Sequence, residues 1–528
     1  MKVLVSDSLS PHGVEVFRAA SGVDVDVQTG LSPEDLRSVI GKYDGLVVRS
    51  ATQVTADIIE AADNLKVIGR AGVGVDNIDV EAATKRGIVV MNTPGGNSMA
   101  AAEHTIALMF ALCRNIPEAV ASMKQKQWEK KRFMGMEVFG KTLGVIGLGN
   151  IGSIVADRAL GLKMNVIAHD PYISPDLVAK KGIELVSLDE LYARSDIITI
   201  HVPKTKETEH LINAETIKKM KDGVMLINCA RGEIMDEAAL AEACRKGKIR
   251  MAAVDVFSQE PPLPDNPLLE VDNIICTPHV GASTSEAQEN VAIAIGQQMV
   301  AYLTEGTIEN AVNVPSVDAT VLKTVGPYLN LGQKMGGFFA QTCSFPLKDL
   351  VVEYQGEVIK HEVAPISSAV LVGLLSSYME GEIVNEVNAP FIAKERGINV
   401  RESKISEEAD FTSLITLTAK SNRITHTLAG TIFGKSEPRL VKVNEYSVES
   451  VPAGNILLIY NVDRPGVIGN IGTLMGTKSI NIANMQVGRD EKGGTALCIC
   501  HVDTSPPPDV LRELERLPNI TSVKLIQL

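Results

Sequence analysis

Three loop side chains carry the chain's best case for chemistry. They are Arg231 in Asn228-Cys229-Ala230-Arg231-Gly232, Glu260 in the stretch from Asp255 to Pro261, and His279 in Thr277-Pro278-His279-Val280-Gly281-Ala282. Each follows an apolar, strand-like run. Histidine suits removal of a hydroxyl proton, because its pKa lies close to working pH. A carboxylate on the other ring nitrogen fixes the tautomer and stabilises the imidazolium that forms. An arginine grips a substrate carboxylate with two parallel hydrogen bonds. Together the trio describes oxidation of a 2-hydroxy acid beside a hydride acceptor. Singly, each has a plainer reading: His279 as a turn residue, Glu260 as a solvated loop acid, Arg231 as half of a surface ion pair. Their joint placement after a nucleotide-type turn favours catalysis.

That turn is Thr142-Leu-Gly-Val-Ile146-Gly147-Leu148-Gly149-Asn150-Ile151-Gly152. An apolar strand runs into three glycines, and a helix-compatible run, Ser153 to Leu162, follows. The pattern leaves room for a pyrophosphate against N–H groups at a helix start. A second strand, Asn165–His169, ends in Asp170, eighteen residues after Gly152. An acid there receives the two hydroxyls of an adenosine ribose and repels a 2′-phosphate, so NAD is expected rather than NADP. A lone glycine triplet is weak, but strand, helix and acid in register make it specific.

The elements around these residues alternate. Strands are expected at Lys2–Ser6, Gly45–Val48, Lys66–Gly69 and Ile88–Met91, with helices at His12–Ala20, Pro33–Ile40 and Ala56–Ala62. A parallel sheet covered on both faces follows from that order. A long helix, Ser98–Asn115, suits a bridge between lobes. Further strands at Asp196–Val202, Gly223–Asn228, Met251–Val256 and Asn273–Cys276 complete a second doubly wound sheet. A helix from Thr284 to Leu303 then leads back towards the first lobe. Residues 316–450 read as an α+β block, with helices near Lys323–Gln341 and Ser367–Ile383 and strands at Leu350–Gly356, Leu414–Ala419 and Thr425–Phe433. The last part reads βαββαβ, a two-layer ferredoxin-like module that looks self-contained, with Pro465 at a helix start.

At 528 residues the chain is too long for one core. Its 45% hydrophobic and 22% charged content is that of a globular protein. A net charge of −13 argues against a nucleic-acid partner and leaves an anionic substrate dependent on a local basic pocket. No apolar run approaches the roughly 18 residues that span a bilayer; Ala100–Cys113 is interrupted by Glu103 and His104. The first strand begins at once, leaving no room for a signal peptide. The seven scattered cysteines fit a reducing cytoplasm rather than disulfides or a metal site; Cys498 and Cys500 share a strand face.

The glycine turn with Asp170, Asn228-Cys-Ala-Arg231-Gly, Asp255-Val-Phe with Glu260-Pro-Pro, and Pro278-His279-Val-Gly-Ala-Ser-Thr resemble the D-isomer-specific 2-hydroxy acid dehydrogenases. Arg70-Ala-Gly-Val-Gly-Val-Asp76-Asn and Asn92-Thr-Pro-Gly-Gly-Asn97-Ser belong to the same likeness, which covers essentially the whole chain. It implies a substrate domain (residues 1–97 plus 285–312), an NAD domain (98–284), an intervening domain (316–450) and a regulatory domain (454–528). It also implies Arg231 as substrate-orienting, Glu260 as support for the histidine, and His279 as acid/base. Val73, Asn150, Ile151, Asp170, Val202, Cys229, Ala230, Arg231, Asp255, His279, Val280, Gly281 and Ala282 would line the NAD site beside Gly147, Gly149 and Gly152. Glu260 disfavours the formate-oxidising branch, which has glutamine there.

Arg49, Ser50, Arg70, Gly72, Val73 and Asn97 would face the substrate. Arg49 is the first choice for a phosphate, and Lys131 or Arg132 is a candidate from a neighbouring subunit. The implied reaction is NAD-dependent oxidation of 3-phospho-D-glycerate to 3-phosphohydroxypyruvate, on the way to serine. Another D-2-hydroxy acid, such as glycerate or 2-hydroxyglutarate, is an alternative, as is a non-enzymatic NAD-sensing corepressor. The tail resembles an amino-acid-binding ACT domain. By that likeness Asp463, Pro465 and Asn481 would hold a small amino acid, serine being expected, between paired chains of a cytoplasmic homotetramer.

Overall fold

The computed structural model describes residues 1–317, 319–379, 383–407, 410–421 and 424–528. In the first sheet Lys2–Val5 lies between Asp24–Val27 and Gly45–Val48, with Val67–Arg70 and Val89–Met91 outward, all parallel. Val3, Leu4, Leu46, Ile68 and Val90 are fully buried, because helices cover both faces. Helix Ser285–Glu305, capped by Thr284, returns to this lobe and packs Ile295 and Met299 against Val3, Val67 and Val89. The chain then adds to the sheet edge, where Asn313 brackets the Ile88 carbonyl and the Val90 N–H.

The second sheet has seven parallel strands, in the order Ile274–Cys276, Ile249–Val254, Val224–Asn228, Ile197–Ile200, Thr142–Ile146, Asn165–His169 and Glu184–Leu185. The winding reverses between Ile197–Ile200 and Thr142–Ile146, which opens a crevice at the carboxyl ends of those strands. The glycine turn, Val202, Arg231, Asp255 and His279 all follow strand ends on that side. Helix Ser98–Arg114 joins the lobes; its Leu108, Met109 and Leu112 pack with Val145 and Met225. Among the described residues no single helix is long and apolar enough to cross a membrane.

The middle block is a six-stranded sheet under two long helices, Ala319–Thr342 and Ala364–Ser376. The second begins three residues before the expected Ser367 and ends at Ser376; of the expected range, 380–382 lie outside the described residues. Strand Asn399–Ile405, which the sequence reading does not mark, carries charges on both faces because it is an exposed edge.

The tail follows the expected βαββαβ order. Its first helix, however, starts at Val467, after Gly466 in a left-handed conformation (φ 93°), so Pro465 lies in the turn before it. Nor is the tail self-contained. Leu457, Ile459, Cys498 and Cys500 face its two helices, while Ile456, Leu458, Leu497, Ile499 and Ile526 join the core of the middle block. Helices on one side leave the other apolar face of such a sheet uncovered, and the middle block supplies the cover. Tyr446 to Thr495 (2.7 Å), Ser450 to His501 (2.9 Å) and Lys524 to the Thr342 carbonyl (3.0 Å) tie the seam.

Leu458→Ala therefore costs about 2–5 kcal/mol and loosens both blocks together. In hydrogen exchange, strands Ser413–Lys420 and Asn455–Val462 are expected to lose protection in step; loss confined to the tail would contradict a shared core.

Candidate active site

The glycines of the turn do different jobs. Gly147 has φ 89°, and a Cβ there would stand 2.6 Å from the His201 carbonyl. A Cβ on Gly152 would stand 1.9 Å from the Gly147 carbonyl. Backbone meets backbone at both, so neither position tolerates a side chain. Gly149 has no atom within 4 Å of its Cβ position and leaves open the start of helix Asn150–Gly161. Unpaired N–H groups there suit a diphosphate. The Leu148 N–H (2.8 Å) and Tyr172 N–H (2.9 Å) hold the Asp170 carboxylate at the end of its strand. A cavity of about 650 Å³ runs beside Gly149 and Asn150 along the helix. Turn, helix start and carboxylate fit a dinucleotide.

Across the crevice, Asn228 curls its loop by accepting from the Ala230 N–H (3.0 Å) and donating to the Arg231 carbonyl (2.9 Å). Burial pushes the neighbouring Cys229 thiol up to about 12, so it stays protonated. Glu260 Oε2 lies 2.6 Å from His279 Nδ1, and its Oε1 accepts from the Phe257 N–H at 3.0 Å. The hydrogen bond to Glu260 raises the His279 pKa above its ordinary value, against the opposing effect of burial. Burial alone would raise Glu260; its bonds with His279 and Phe257 outweigh that and hold it below the usual carboxylate range. With Nδ1 committed to Glu260, Nε2 is the nitrogen left for a substrate proton.

Glu260 and His279 line a cleft of about 230 Å³ with Arg49, Arg70, Gly72 and Asn97. Ser50 and Ala282 also line it. Burial, then the charges of Arg231 and Arg49, lowers Arg70 to about 10. Arg70 Nε and Asn97 Oδ1 are buried without a hydrogen-bond partner. Arg70, set against two like charges and with an unpaired Nε–H, is an arrangement that suits an anion in a molecule of net charge −13. Arg231 Nε also meets Asp76 at 3.2 Å. Val73 turns its carbonyl to the Asn92 amide at 2.5 Å.

Some expected site residues stand apart. Arg132 does not reach the cleft of its own chain: the helical path bends by 64° after Arg114, and Arg132 pairs with Glu129 on the outer surface near Arg250. Asp255 is buried, and its carboxylate accepts from Thr277 Oγ1 (2.5 Å), the Val280 N–H (2.9 Å) and the Gly281 N–H (2.8 Å). His104, Thr277, Asp76 and Asn228 are part of this architecture without having been singled out. The available signal was small: His104, with Glu103, is a polar break in a largely apolar helix.

In the tail, Asp463 accepts from the Gly493 N–H (3.1 Å) and Asn481 donates to Asp503 (2.7 Å). The register Asn455↔Val502↔Ile482 and Val462↔Thr495 sets these two residues at opposite ends of one sheet, roughly 23 Å apart. One chain alone does not bring them together.

Fold and site define an NAD-dependent dehydrogenase of 2-hydroxy acids, and comparison with known proteins agrees. Residues 106–281 match the NAD-binding domain of the D-isomer-specific 2-hydroxyacid dehydrogenases. Residues 324–444 match the D-3-phosphoglycerate dehydrogenase intervening domain, and 455–519 an ACT domain. The D-3-phosphoglycerate dehydrogenase of Archaeoglobus fulgidus is 46% identical over 530 residues, covering 100% of both chains. That of Bacillus subtilis is 41% identical, over 100% of this chain and 99% of its own. A crystal structure of D-lactate dehydrogenase from Aquifex aeolicus, complexed with NAD and lactic acid, is 31% identical and superposes with a TM-score of 0.53, covering 60% of this chain and 100% of that one. The chain belongs to the D-3-phosphoglycerate dehydrogenase family.

Gly152→Ala places a methyl group against the Gly147 carbonyl and pries the turn from its helix. Calorimetric titration is expected to show NAD affinity falling by about tenfold or more, since overpacking of this kind costs about 1–3 kcal/mol. Unchanged affinity would separate the turn from the dinucleotide.

Proposed function

We propose that this chain oxidises 3-phospho-D-glycerate to 3-phosphohydroxypyruvate with NAD and is restrained by serine at its tail. The observation that carries the catalytic part is the Glu260–His279 contact in a cleft that Arg49 and Arg70 also line. Arg231 grips the substrate carboxylate and fixes the carbinol carbon. Arg49 and Arg70 receive the phosphate, their mutual repulsion offset by its charge. NAD, which the Gly147–Gly152 turn and Asp170 would hold, would supply the acceptor for the hydride of that carbon. His279 Nε2 takes the hydroxyl proton, and Glu260 stabilises the resulting imidazolium through Nδ1. Asn97 closes the cleft from the first lobe.

The working form is a homo-oligomer. Ile116, Val120, Met123, Trp128, Met134 and Phe139 are all exposed within one short stretch, with Trp128 80% exposed. Such a surface is ordinarily covered by a partner. A second copy seated there carries its Arg132 towards the neighbouring cleft. Two tail sheets packed side by side in opposite directions bring Asp463 of one chain to Asn481 of the other. Between them Asp463 accepts an ammonium group and the helix start after Pro465 faces a carboxylate.

Absorbance at the NADH band is expected to rise with 3-phosphoglycerate, only weakly with glycerate or 2-hydroxyglutarate, and less when serine is present. Asn481→Ala abolishes the serine effect; inhibition that persists in that variant would remove Asn481 from the effector site. His279→Ala lowers kcat by about 10²–10⁴-fold while NAD still binds, whereas near-normal turnover would displace His279 as the base.

Oxidation requires the neutral imidazole, and Glu260 raises the His279 pKa above 6.5. The rate therefore falls as pH drops through that raised value. In Glu260→Gln the acid limb of kcat/KM moves to lower pH by about 1 unit or more. A limb that stays in place would show that the two groups do not titrate together.

A further inference from the structure

Helix Ser98–Arg114 presents Ala101, Thr105 and Leu108 as a buried face, and His104 sits at its margin with a side chain 20% exposed. Proton transfer as described above makes no use of this histidine. Its Nε2 lies 3.3 Å from Asp255 Oδ1 and 3.4 Å from Thr277 Oγ1.

Asp255 is 1% exposed. Burial would raise its pKa, but the bonds from His104, Thr277, Val280 and Gly281 hold it below the ordinary value, so the carboxylate is ionised. Three of those donors belong to the loop of the catalytic histidine. Two are the consecutive amides directly after His279, a residue whose own backbone is left-handed at φ 51°. A non-glycine residue holds that conformation where its surroundings over-determine it, and here Asp255 does so by winding the loop around one charge. The fourth donor, His104, comes from outside the loop, on the helix that joins the two lobes.

A second observation places helix and loop in direct contact. A Cβ on Gly281 would stand 3.0 Å from Asp255 Oδ2, 3.7 Å from His104 Cδ2 and 4.0 Å from Ala101 Cα. No side chain at 281 cushions the approach. The same helix starts immediately after Asn97, which lines the substrate cleft.

We infer that His104 is a positioning residue: by hydrogen-bonding the buried Asp255 carboxylate it fixes the loop that aims His279 and ties that aim to the helix joining the lobes. The chain of contacts runs from the Asn97 end of the helix through His104 and Asp255 to the amides of Val280 and Gly281. A shift of the helix relative to the second sheet displaces the base. Energy reaches His279 through a single charge rather than through general packing. The inference rests on the proposed role of His279.

The test uses the full-length chain with two substitutions. His104→Phe keeps the volume and removes the donor; His104→Gln keeps an N–H at similar reach. With 3-phosphoglycerate, His104→Phe is expected to lose between about tenfold and 100-fold in kcat, with NAD affinity and Tm close to those of the unsubstituted chain, and His104→Gln to recover most of the loss. In hydrogen exchange the Val280 and Gly281 amides open faster in His104→Phe, a readout independent of turnover. Unchanged kcat, a loss seen only in NAD affinity or Tm, or Gln as poor as Phe would each overturn the inference. If the unsubstituted chain fails to turn over 3-phosphoglycerate, the functional reading falls, and unchanged exchange at Val280 and Gly281 then overturns the link on its own.

Discussion

Glu260 and His279 meet at 2.6 Å, yet 18 residues separate them and they belong to different loops. What brings them together is the parallel pairing of Ile249–Val254 with Ile274–Cys276, in which Val254 stands beside Cys276. One step further along, Asp255 stands beside Thr277, and their side chains bond at 2.5 Å. Adjacent strands lie about 4.8 Å apart, so two short loops leaving them are forced into contact. A register shift of one residue would turn Asp255 to the opposite face and separate the pair. The chemistry thus depends on sheet register more directly than on either loop.

The second requirement is charge. The chain is anionic as a whole, and it concentrates Arg49, Arg70 and Arg231 around one cleft. Arg70 is held there partly desolvated and against two like charges, an arrangement unfavourable without an anion. The unpaired Arg70 Nε–H lies where an anionic substrate would accept from it, whereas the unpaired Asn97 Oδ1 is an acceptor that calls for a donor such as a hydroxyl. In the proposed reaction an anionic ligand held by Arg70 of the first lobe and Arg231 of the second would draw the two lobes together.

Much of this was legible in the residues. The glycine turn, the alternation of strand and helix, and the arginine, acid and histidine after strand ends all have local signatures, and most strands formed where the apolar runs lay, but the charged edge strands Asp24–Val27 and Asn399–Ile405 had no such run. What escaped the sequence depends on direction rather than spacing. Nothing in Lys130-Lys131-Arg132 tells which face of the molecule the loop reaches, and the bend after Arg114 carries it outward. Alternation in Asn455–Val462 shows two apolar faces but not that the second is covered by a block a hundred residues earlier. Asp463 and Asn481 are close in sequence and at opposite ends of a sheet, because a helix and a return path lie between them. His104 read as an interruption of an apolar helix, and its partner, Asp255, only came beside it through folding.

On the proposed mechanism Glu260 fixes His279 in the tautomer that leaves Nε2 bare. Nitrogen-15 NMR of the histidines, assigned by comparison with His279→Ala, reads this directly in the NAD-bound protein. The expected result is a protonated Nδ1 with a strongly deshielded proton at high pH, and an Nε2 that gains its proton only as the pH falls through a value above 6.5. An unprotonated Nδ1, with the proton resident on Nε2 throughout, would contradict it.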